Sequence, residues 1–273
     1  MVGLLPLCAT TVTEKATRAR LPRAMAQIAE RRRRMPELLD SIHPTGPGYF
    51  GVAERGILAL VNPERLRRIL TRMLDEEEFL SPHGIRSLSK FHEKHPYVFH
   101  AQGKEYRVDY LPAESDTGMF GGNSNWRGPV WMPVNVLIIR ALLQFYAYYG
   151  DSFRIECPTG SGKLMNLFEV SKEIAERMER IFLRDGNGRR PVYGGAEKFQ
   201  ADPHWRDHVL FYEYFHGDDG AGLGASHQTG WTGLVAKLIQ LYARLDPEQL
   251  LAAGKLAAFA RDANRLARGP GTG

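Results

Sequence analysis

Apolar positions repeat every three or four residues in several stretches of the chain, which is the period of a helix with one buried face. Between these stretches lie long segments rich in glycine and aromatic residues, whereas alternating strand patterns are scarce. The predicted helices cover residues 21–39, 62–78, 133–149, 166–183, 232–245 and 247–266. The pattern therefore predicts an all-α chain whose helices are joined by long loops.

The starts of two predicted helices carry capping signals. Asn62 and Asp246 are each followed by a proline, and the asparagine and aspartate side chains accept hydrogen bonds from amides of a first helical turn. Proline at the first helical position costs no hydrogen bond. The helix at 133–149 is apolar nearly all round, which predicts burial on several sides. Residues 99–110 alternate weakly and predict one short hairpin.

The positive charge of the chain is confined to one segment. The 273 residues are 43% hydrophobic and 25% charged, a composition typical of globular proteins that excludes a disordered chain and a disulfide scaffold. Net charge is +5, but residues 14–34 alone carry eight basic and two acidic side chains, and the remainder is −1. We interpret the four arginines at 31–34 as a solvated helix face, because no aromatic residues interleave with them. Nucleic acid is therefore not an expected partner.

Cysteine content and hydropathy bear on the compartment. Cys8 and Cys157 are the two cysteines, they form no metal-ligand spacing, and such sparse use favours a reducing, cytoplasmic compartment. The longest apolar run, residues 134–143, contains an arginine and is shorter than the roughly 20 residues that cross a bilayer. We predict no membrane segment.

Neither a metal site nor a nucleotide site is predicted. His204 and His208 lie four residues apart, but a third ligand and an intervening glutamate of the zinc-enzyme pattern are missing. Residues 158–163 end in Gly-Lys, yet a P-loop needs a further upstream glycine and a following serine or threonine. We interpret this segment as a turn that caps the next helix, and we expect no cofactor.

Two loops carry the strongest chemical signal. Residues 116–131 read DTGMFGGNSNWRGPVW and residues 211–231 read FYEYFHGDDGAGLGASHQTGW. Sugar rings are recognised by aromatic faces together with planar polar groups that reach their hydroxyls. The two loops supply this set: Trp126, Arg127, Trp131, Tyr212, Tyr214, His227, Gln228 and Trp231. Glu213 lies among the aromatic residues, as either a general acid or base or the partner of Arg127 in a structural ion pair.

The same two loops carry a family resemblance. Residues 121–135 (GGNSNWRGPVWMPVN) and 212–239 (YEYFHGDDGAGLGASHQTGWTGLVAKLI) resemble the catalytic region of glycoside hydrolase family 63. That family includes processing α-glucosidases and bacterial glucosidases similar to mannosylglycerate hydrolase. The resemblance spans roughly residues 2–245 and implies an (α/α)6 toroid with the sugar bound at one end. It also implies an inverting mechanism, in which two carboxyls lie about 6.5–9.5 Å apart.

The resemblance also implies roles for individual residues. Glu213 corresponds to the general base of the family. The residues expected to bind the sugar or to form its aromatic walls are Trp126, Arg127, Gly128, Trp131, Tyr212, His227, Gln228 and Trp231. The expected reaction is hydrolysis of α-glucosides or of a related small glycoside or oligosaccharide.

The general acid of the family has no counterpart in this sequence. The resemblance implies an aspartate in an earlier loop, and neither Glu114 nor Asp116 matches that motif. The six or seven predicted helices are also about half of the twelve in a complete toroid. We therefore expect residues 1–246 to be the C-terminal portion of the catalytic domain and residues 247–273 to be a terminal helix with a frayed tail. The chain alone is expected to be inactive or very weak, and the missing N-terminal part is its expected protein partner.

Two other function classes remain open from the sequence. The first is a non-catalytic carbohydrate-binding or scaffold remnant of such an enzyme, which would bind glycosides without hydrolysing them. The second is a nucleic-acid-binding protein that uses the basic residues at 14–34. We favour the glycosidase, since the aromatic loops and Glu213 belong together in it.

Overall fold

Helices dominate the computed structural model, which describes residues 1–36, 49–118, 126–252 and 254. The α-helices are α1 (Lys15–Ala19), α2 (Pro22–Arg34), α3 (Pro63–Met73), α4 (Met132–Tyr149), α5 (Leu167–Arg180), α6 (Glu197–Ala201) and α7 (Leu234–Tyr242). Residues 247–252 are also helical. The helical character predicted from the apolar period is confirmed. None of the helices in the described ranges combines the length and apolar character needed to cross a membrane.

The strands are short and pair two by two, each pair antiparallel. They are β1 (Thr10–Thr13) with β2 (Gly56–Ala59), β3 (Leu80–Ser81) with β4 (Gly84–Ile85), β5 (Tyr97–Ala101) with β6 (Lys104–Val108), β7 (Arg154–Glu156) with β8 (Leu164–Asn166), and β9 (Tyr214–Phe215) with β10 (Gly222–Leu223). The hairpin predicted near residues 99–110 is β5–β6. The strands of the other pairs are two to four residues long, too short to be recognised from alternating polar and apolar residues. The predicted all-α fold is therefore corrected to a mostly helical one.

The hydrophobic core is built around α4. This helix packs against α5, α7 and β1, so most of its circumference is buried, as its all-round apolar character predicts. Core side chains come from all three helices: Ile138, Leu142, Phe145, Val170, Ile174, Met178, Val235 and Leu238. Because α4 begins at the end of the first aromatic loop, core packing fixes where that loop enters the site.

A capping residue sets the start of α3 as predicted, α5 has a cap that was not predicted, and a local turn ends α3 early. Asn62 accepts a hydrogen bond from the amide of Arg65 at the start of α3. Asn166 forms a capping box with Glu169 at the start of α5. Helix α3 ends at Met73 rather than at residue 78, because the Asp75 carboxylate accepts from a following amide and competes with helix continuation.

Other predicted segments are settled only in part. Of the helix predicted at 21–39, α2 confirms Pro22–Arg34; it ends before Met35 and Pro36, and residues 37–39 lie outside the described residues. The helix predicted at 247–266 is seen over 247–252; residues 253 and 255–273 lie outside the description. Residues 158–163 form the loop of the β7–β8 hairpin. They are therefore a turn, as predicted, but Asn166 caps the next helix in their place.

A short segment of extended backbone brings the two aromatic loops together. Val130 lies between Arg86 and Phe215 and is antiparallel to both. The amide of Val130 donates to the carbonyl of Phe215 at 2.8 Å, and the amide of Phe215 donates back at 2.9 Å. On the other side, the amide of Ser87 donates to the carbonyl of Pro129 at 3.0 Å. The first loop is thus held between β4 and β9.

Asn135 attaches this assembly to the core helix. Its side chain is fully buried; Oδ1 accepts from the amide of Ile85 at 2.7 Å, and Nδ2 donates to the carbonyl of Ile85 at 3.1 Å. Nδ2 also donates to the carbonyl of Trp131 at 3.0 Å. The amide group therefore acts as a strand partner for β4 and fixes the start of α4.

The side chain of Arg86 connects other segments of the chain to the second loop. The guanidinium is buried and donates to the carbonyls of Glu76, Glu78 and Leu80. It also donates to the hydroxyl of Tyr110 at 3.1 Å and to Oδ1 of Asp218 at 3.0 Å. The same oxygen of Asp218 accepts from the Tyr110 hydroxyl and from Nζ of Lys90, both at 3.1 Å. The cluster therefore connects residues 76–80, Tyr110 and Asp218 through one guanidinium.

The Asn135→Ala substitution is expected to lower the free energy of unfolding by about 3 kcal/mol, because it leaves a buried amide and a buried carbonyl of Ile85 without partners. Urea unfolding measures the change. The control is Asn187→Ala at an exposed position, which should shift stability by less than about 0.5 kcal/mol. Equal effects of the two substitutions would contradict the role given to Asn135.

Asp218→Asn is expected to destabilise the protein in a pH-dependent way. Burial raises the pKa of Asp218, but hydrogen bonds and charge from Lys90 and Arg86 outweigh it and hold that pKa below its usual value. The stabilisation by the carboxylate is therefore complete above the ordinary pKa of about 3.9. It is lost as the pH falls through the lower folded pKa.

Urea unfolding of wild type and Asp218→Asn at pH 7 and at pH 3 measures this dependence. The difference in free energy of unfolding should be large at pH 7 and should shrink at pH 3. The control is Asp207→Asn, which removes an exposed partner of Arg184 and should cost little at either pH. A difference for Asp218→Asn that stays constant with pH would refute the account.

Candidate active site

Stacked aromatic rings form the centre of the candidate site. The Trp126 and Trp131 rings stack with centroids 4.4 Å apart, and Trp131 and Tyr214 stack at 4.7 Å. One ring face cannot hold both neighbours, so Trp131 lies between Trp126 and Tyr214. Trp231 meets Trp131 edge-on at 6.2 Å. Trp131 is 4% exposed, whereas Trp231 is 40% exposed; the accessible ring surfaces thus belong to Trp126 and Trp231.

Glu213 lies beside this stack and is held through its backbone. Its amide donates to the carbonyl of Leu223 at 3.2 Å, and its carbonyl accepts from Nε1 of Trp231 at 3.0 Å. The side chain is half-buried, and the amide of Ala225 lies 3.4 Å from Oε2. From the sequence, an ion pair between Glu213 and Arg127 was the alternative role for Glu213. In the structure Arg127 pairs instead with Asp116, with 2.9 Å between Nη1 and Oδ1.

Gly224 allows its backbone to lie close to the side chains of Glu213 and Tyr214. A Cβ at this position would lie 2.8 Å from Oε2 of Glu213 and 2.8 Å from Cε1 of Tyr214. The backbone φ of +71° is also one that side chains other than glycine rarely adopt. The carboxylate of Glu213 is thereby placed near the hydroxyl end of the Tyr214 ring.

Arg127 and Gly128 hold the first aromatic loop in place. The Arg127 guanidinium is buried and donates to Asp116 and to the hydroxyl of Thr117, which fixes the approach to the first loop. A Cβ on Gly128 would lie 2.5 Å from the carbonyl oxygen of Leu111. The amide of Leu111 donates in turn to the carbonyl of Arg127 at 2.6 Å. Both residues therefore position the loop.

The remaining predicted residues enter the site in different ways. Tyr212 is half-buried, burial raises the pKa of its phenol, and its carbonyl accepts from the Thr232 hydroxyl. His227 is exposed and bridges to Phe211 through its backbone. The amide of Gln228 donates to the carbonyl of Phe211 at 2.8 Å. Trp126, Trp131 and Trp231 are thus brought together in one cluster, which Trp231 connects to Glu213, while His227 and Gln228 border the site through their backbones.

Several residues that organise the site are not among the predicted sugar-binding residues. The Tyr214 hydroxyl donates to the Glu114 carboxylate, with distances of 3.0 and 3.1 Å to the two oxygens. Asp218 was within the second motif, but its partners Arg86 and Tyr110 were not. These last two occur in segments without a compositional signal, so single-sequence reasoning had no means of finding them.

The site has no group of three metal-ligating side chains in the part of the chain that the structure describes. His204 and His208 are both exposed and lie in a turn and the segment after it, not on a shared helix face. The chemistry available at the described site is therefore that of a carboxylate beside aromatic rings.

Comparison with known proteins gives matches that include both loops. The family model of the mannosylglycerate hydrolase MGH1-like glycoside hydrolase domain matches residues 57–232. A Saccharomyces cerevisiae protein of uncharacterised function is 52% identical over 248 residues, which cover 88% of this chain and 22% of that protein. The mannosyl-oligosaccharide glucosidase of the same yeast is 24% identical over 195 residues, 70% of this chain and 17% of the enzyme.

A third relative supports the same grouping. The probable mannosyl-oligosaccharide glucosidase of Schizosaccharomyces pombe is 27% identical over 175 residues, 64% of this chain and 15% of that protein. The chain spans about a fifth or less of the length of these relatives. The predicted likeness to glucosidases of the family 63 type is supported at the level of the glycoside hydrolase domain. Because the matching model covers more than half of the sequence, the chain belongs to the mannosylglycerate hydrolase MGH1-like glycoside hydrolase family.

Proposed function

We propose that this chain contributes the general base and the aromatic sugar platform of an inverting, α-glucosidase-like glycoside hydrolase. Glu213 is the general base in this proposal. The observation that carries it is the link between Glu213 and the aromatic cluster: Glu213 directly precedes Tyr214, which stacks on Trp131, and its carbonyl accepts from Nε1 of Trp231. Family membership supports the reaction class.

The geometry suits a base that activates water. A sugar ring lying on an accessible indole face would be oriented by apolar contact and hydroxyl bonding. In the proposed geometry one water molecule lies between the Glu213 carboxylate and the anomeric carbon. In the reaction the water oxygen bonds to the anomeric carbon, its proton passes to Glu213, and the bond to the leaving oxygen breaks. Room for this water molecule is what separates the two carboxyls of an inverting enzyme.

The leaving oxygen must also receive a proton, and we assign that task to a carboxyl outside these 273 residues. Asp116 and Asp218, two carboxylates of the site region, are each paired with an arginine that holds part of the fold. Despite burial, Lys90 and Arg86 hold the pKa of Asp218 below its usual value, which makes this carboxyl a poor proton donor. The relatives are several times longer than this chain, which leaves ample sequence for an acid and for the remaining helices of an (α/α)6 toroid. The substrate class proposed is an α-glucoside or a related small glycoside or oligosaccharide.

A cytoplasmic location is part of the proposal. Cys8 and Cys157 are both free thiols. Burial raises the pKa of the Cys157 thiol to about 11 and also raises that of Cys8. Such thiols are protonated at neutral pH and unreactive, as suits cysteines that serve as packing residues in a reducing compartment.

Glu213→Gln is expected to abolish most of the hydrolysis of α-D-glucosyl fluoride. Fluoride leaves without protonation, so this substrate isolates the base from the missing acid. Loss of the base should reduce kcat/KM by about 10²–10⁴-fold, measured by fluoride release. The matched control is Glu64→Gln, an exposed glutamate at the start of α3, which should hydrolyse the fluoride like wild type.

Two outcomes would contradict the proposal. Full activity of Glu213→Gln would exclude Glu213 as the base. Release of α-glucose instead of β-glucose, followed by NMR of the first product, would show retention rather than inversion. Binding of glucosides without any turnover, even after a longer relative's N-terminal region is joined to the chain, would favour the non-catalytic binding protein.

A further inference from the structure

The hairpin β5–β6 exposes an aromatic face at the surface of the chain. Residues opposite each other in an antiparallel pair share a face of the sheet, and so does every second residue of a strand. The register pairs Phe99 with Tyr106 and Tyr97 with Val108, so these four side chains lie on one face. Tyr97 is 57% exposed, Phe99 53% and Tyr106 41%. A contiguous exposed apolar patch of this kind marks an interaction surface.

Both edges of this hairpin are open. In the part of the chain that the structure describes, β5 and β6 pair with each other and with no third strand. A two-stranded hairpin by itself is marginally stable in water, and the unpaired amides and carbonyls of a free edge are a template for a further strand. An added strand would therefore complete the hydrogen bonds of the edge and extend the aromatic face.

The hydrogen-bond pattern of the hairpin identifies the groups at the edge of β6. Gln102 and Gly103 have φ of 51° and 71° and form the two-residue turn between the strands. The strand residues that flank such a turn are hydrogen-bonded to each other, and bonded and non-bonded pairs then alternate along the strands. Glu105 and Arg107 belong to the non-bonded pairs, so their backbone amides and carbonyls point away from β5.

The side chains at this edge are complementary to a second copy of the same strand. When two β6 strands pair antiparallel about a two-fold axis at Tyr106, Glu105 of each copy lies opposite Arg107 of the other. Each of these pairs exchanges backbone hydrogen bonds and joins opposite charges, which stabilises a sheet. The edge of β5 offers no such match, because Val98 would lie opposite His100 in the equivalent arrangement.

The present partners of the two charges do not prevent this pairing. Nε of Arg107 lies 3.0 Å from both carboxylate oxygens of Asp109, and Oε2 of Glu105 lies 4.0 Å from Nε2 of His100. Arg107, Glu105 and His100 are all exposed, and ion pairs in contact with water contribute little. Charged side chains usually protect an edge from pairing, but in this one register they attract.

We propose that the chain forms a two-fold symmetric dimer through β6, in which the two hairpins join into one antiparallel four-stranded sheet. The partner is a second copy of this chain, because the edge is complementary in charge to itself. The aromatic faces of the two hairpins become continuous across the axis, where the two copies of Tyr106 lie side by side. The dimer is independent of the sugar site, so its failure would leave the proposed function standing.

Charge exchange at the edge of β6 tests the dimer and its register. Sedimentation of the 273-residue chain over a range of concentrations should show a monomer–dimer equilibrium. Arg107→Glu places glutamates opposite each other and should raise the Kd of the dimer by at least about tenfold. The double variant Glu105→Arg with Arg107→Glu restores opposite charges and should return the Kd to within about threefold of wild type. Arg23→Glu, the matched reversal at an exposed position of α2, should dimerise like wild type.

Disulfide trapping tests the position of the two-fold axis. In Tyr106→Cys the two Cα atoms should lie about 4.5 Å apart, which a disulfide can span, so mild oxidation should link the dimer. Tyr97→Cys lies on the same face but on the outer strand, at least about 14 Å from its copy, and should stay unlinked like wild type.

Three results would overturn the inference. The first is a wild-type chain that sediments as a monomer at every concentration. The second is a dimer that Arg107→Glu leaves unchanged, or that the double variant fails to restore. The third is disulfide linkage that is equally fast in Tyr106→Cys and Tyr97→Cys, which would place the contact elsewhere.

Discussion

The site depends on one buried cation, the guanidinium of Arg86. A charge removed from water is tolerated only where it is fully paired and hydrogen-bonded. Arg86 meets this requirement with three carbonyls of the segment around β3, the hydroxyl of Tyr110 and the carboxylate of Asp218. Moving any of these segments would leave the guanidinium or a buried acceptor without a hydrogen-bond partner. The turn after β9 is therefore fixed relative to β4, and Glu213 is fixed with it.

Backbone hydrogen bonds then fix the aromatic residues relative to Arg86. Val130 is bonded between the two segments that Arg86 joins, so the tryptophans on either side of it take a defined position. Asn135 ties the same region to α4 and the core. Thus the stacked rings, which belong to a loop in the sequence, stand on elements that core packing makes rigid. This rigidity favours the proposed role in sugar binding, because a binding site gains affinity from preorganisation.

The sequence predicted the helices better than the connections between them. Apolar period and capping residues located α3, α4, α5 and α7, since both signals are local. Two-residue strands such as β3 and β9 left no pattern, because alternation of polar and apolar residues cannot be recognised over two positions. The aromatic loops and Glu213 were found from their composition. Glu114, Arg86 and Tyr110 acquire meaning only when tertiary structure brings them to Tyr214 and Asp218, and no spacing rule anticipates that.

The central claim is that a sugar lies on the accessible tryptophan surfaces with its anomeric carbon facing Glu213. A crystal structure of the chain soaked with an α-glucoside tests it most directly. The account predicts a sugar ring against Trp126 or Trp231, with one water molecule between the Glu213 carboxylate and the anomeric carbon. A sugar bound elsewhere, or bound on the stack with Glu213 directed away from the anomeric carbon, would contradict it.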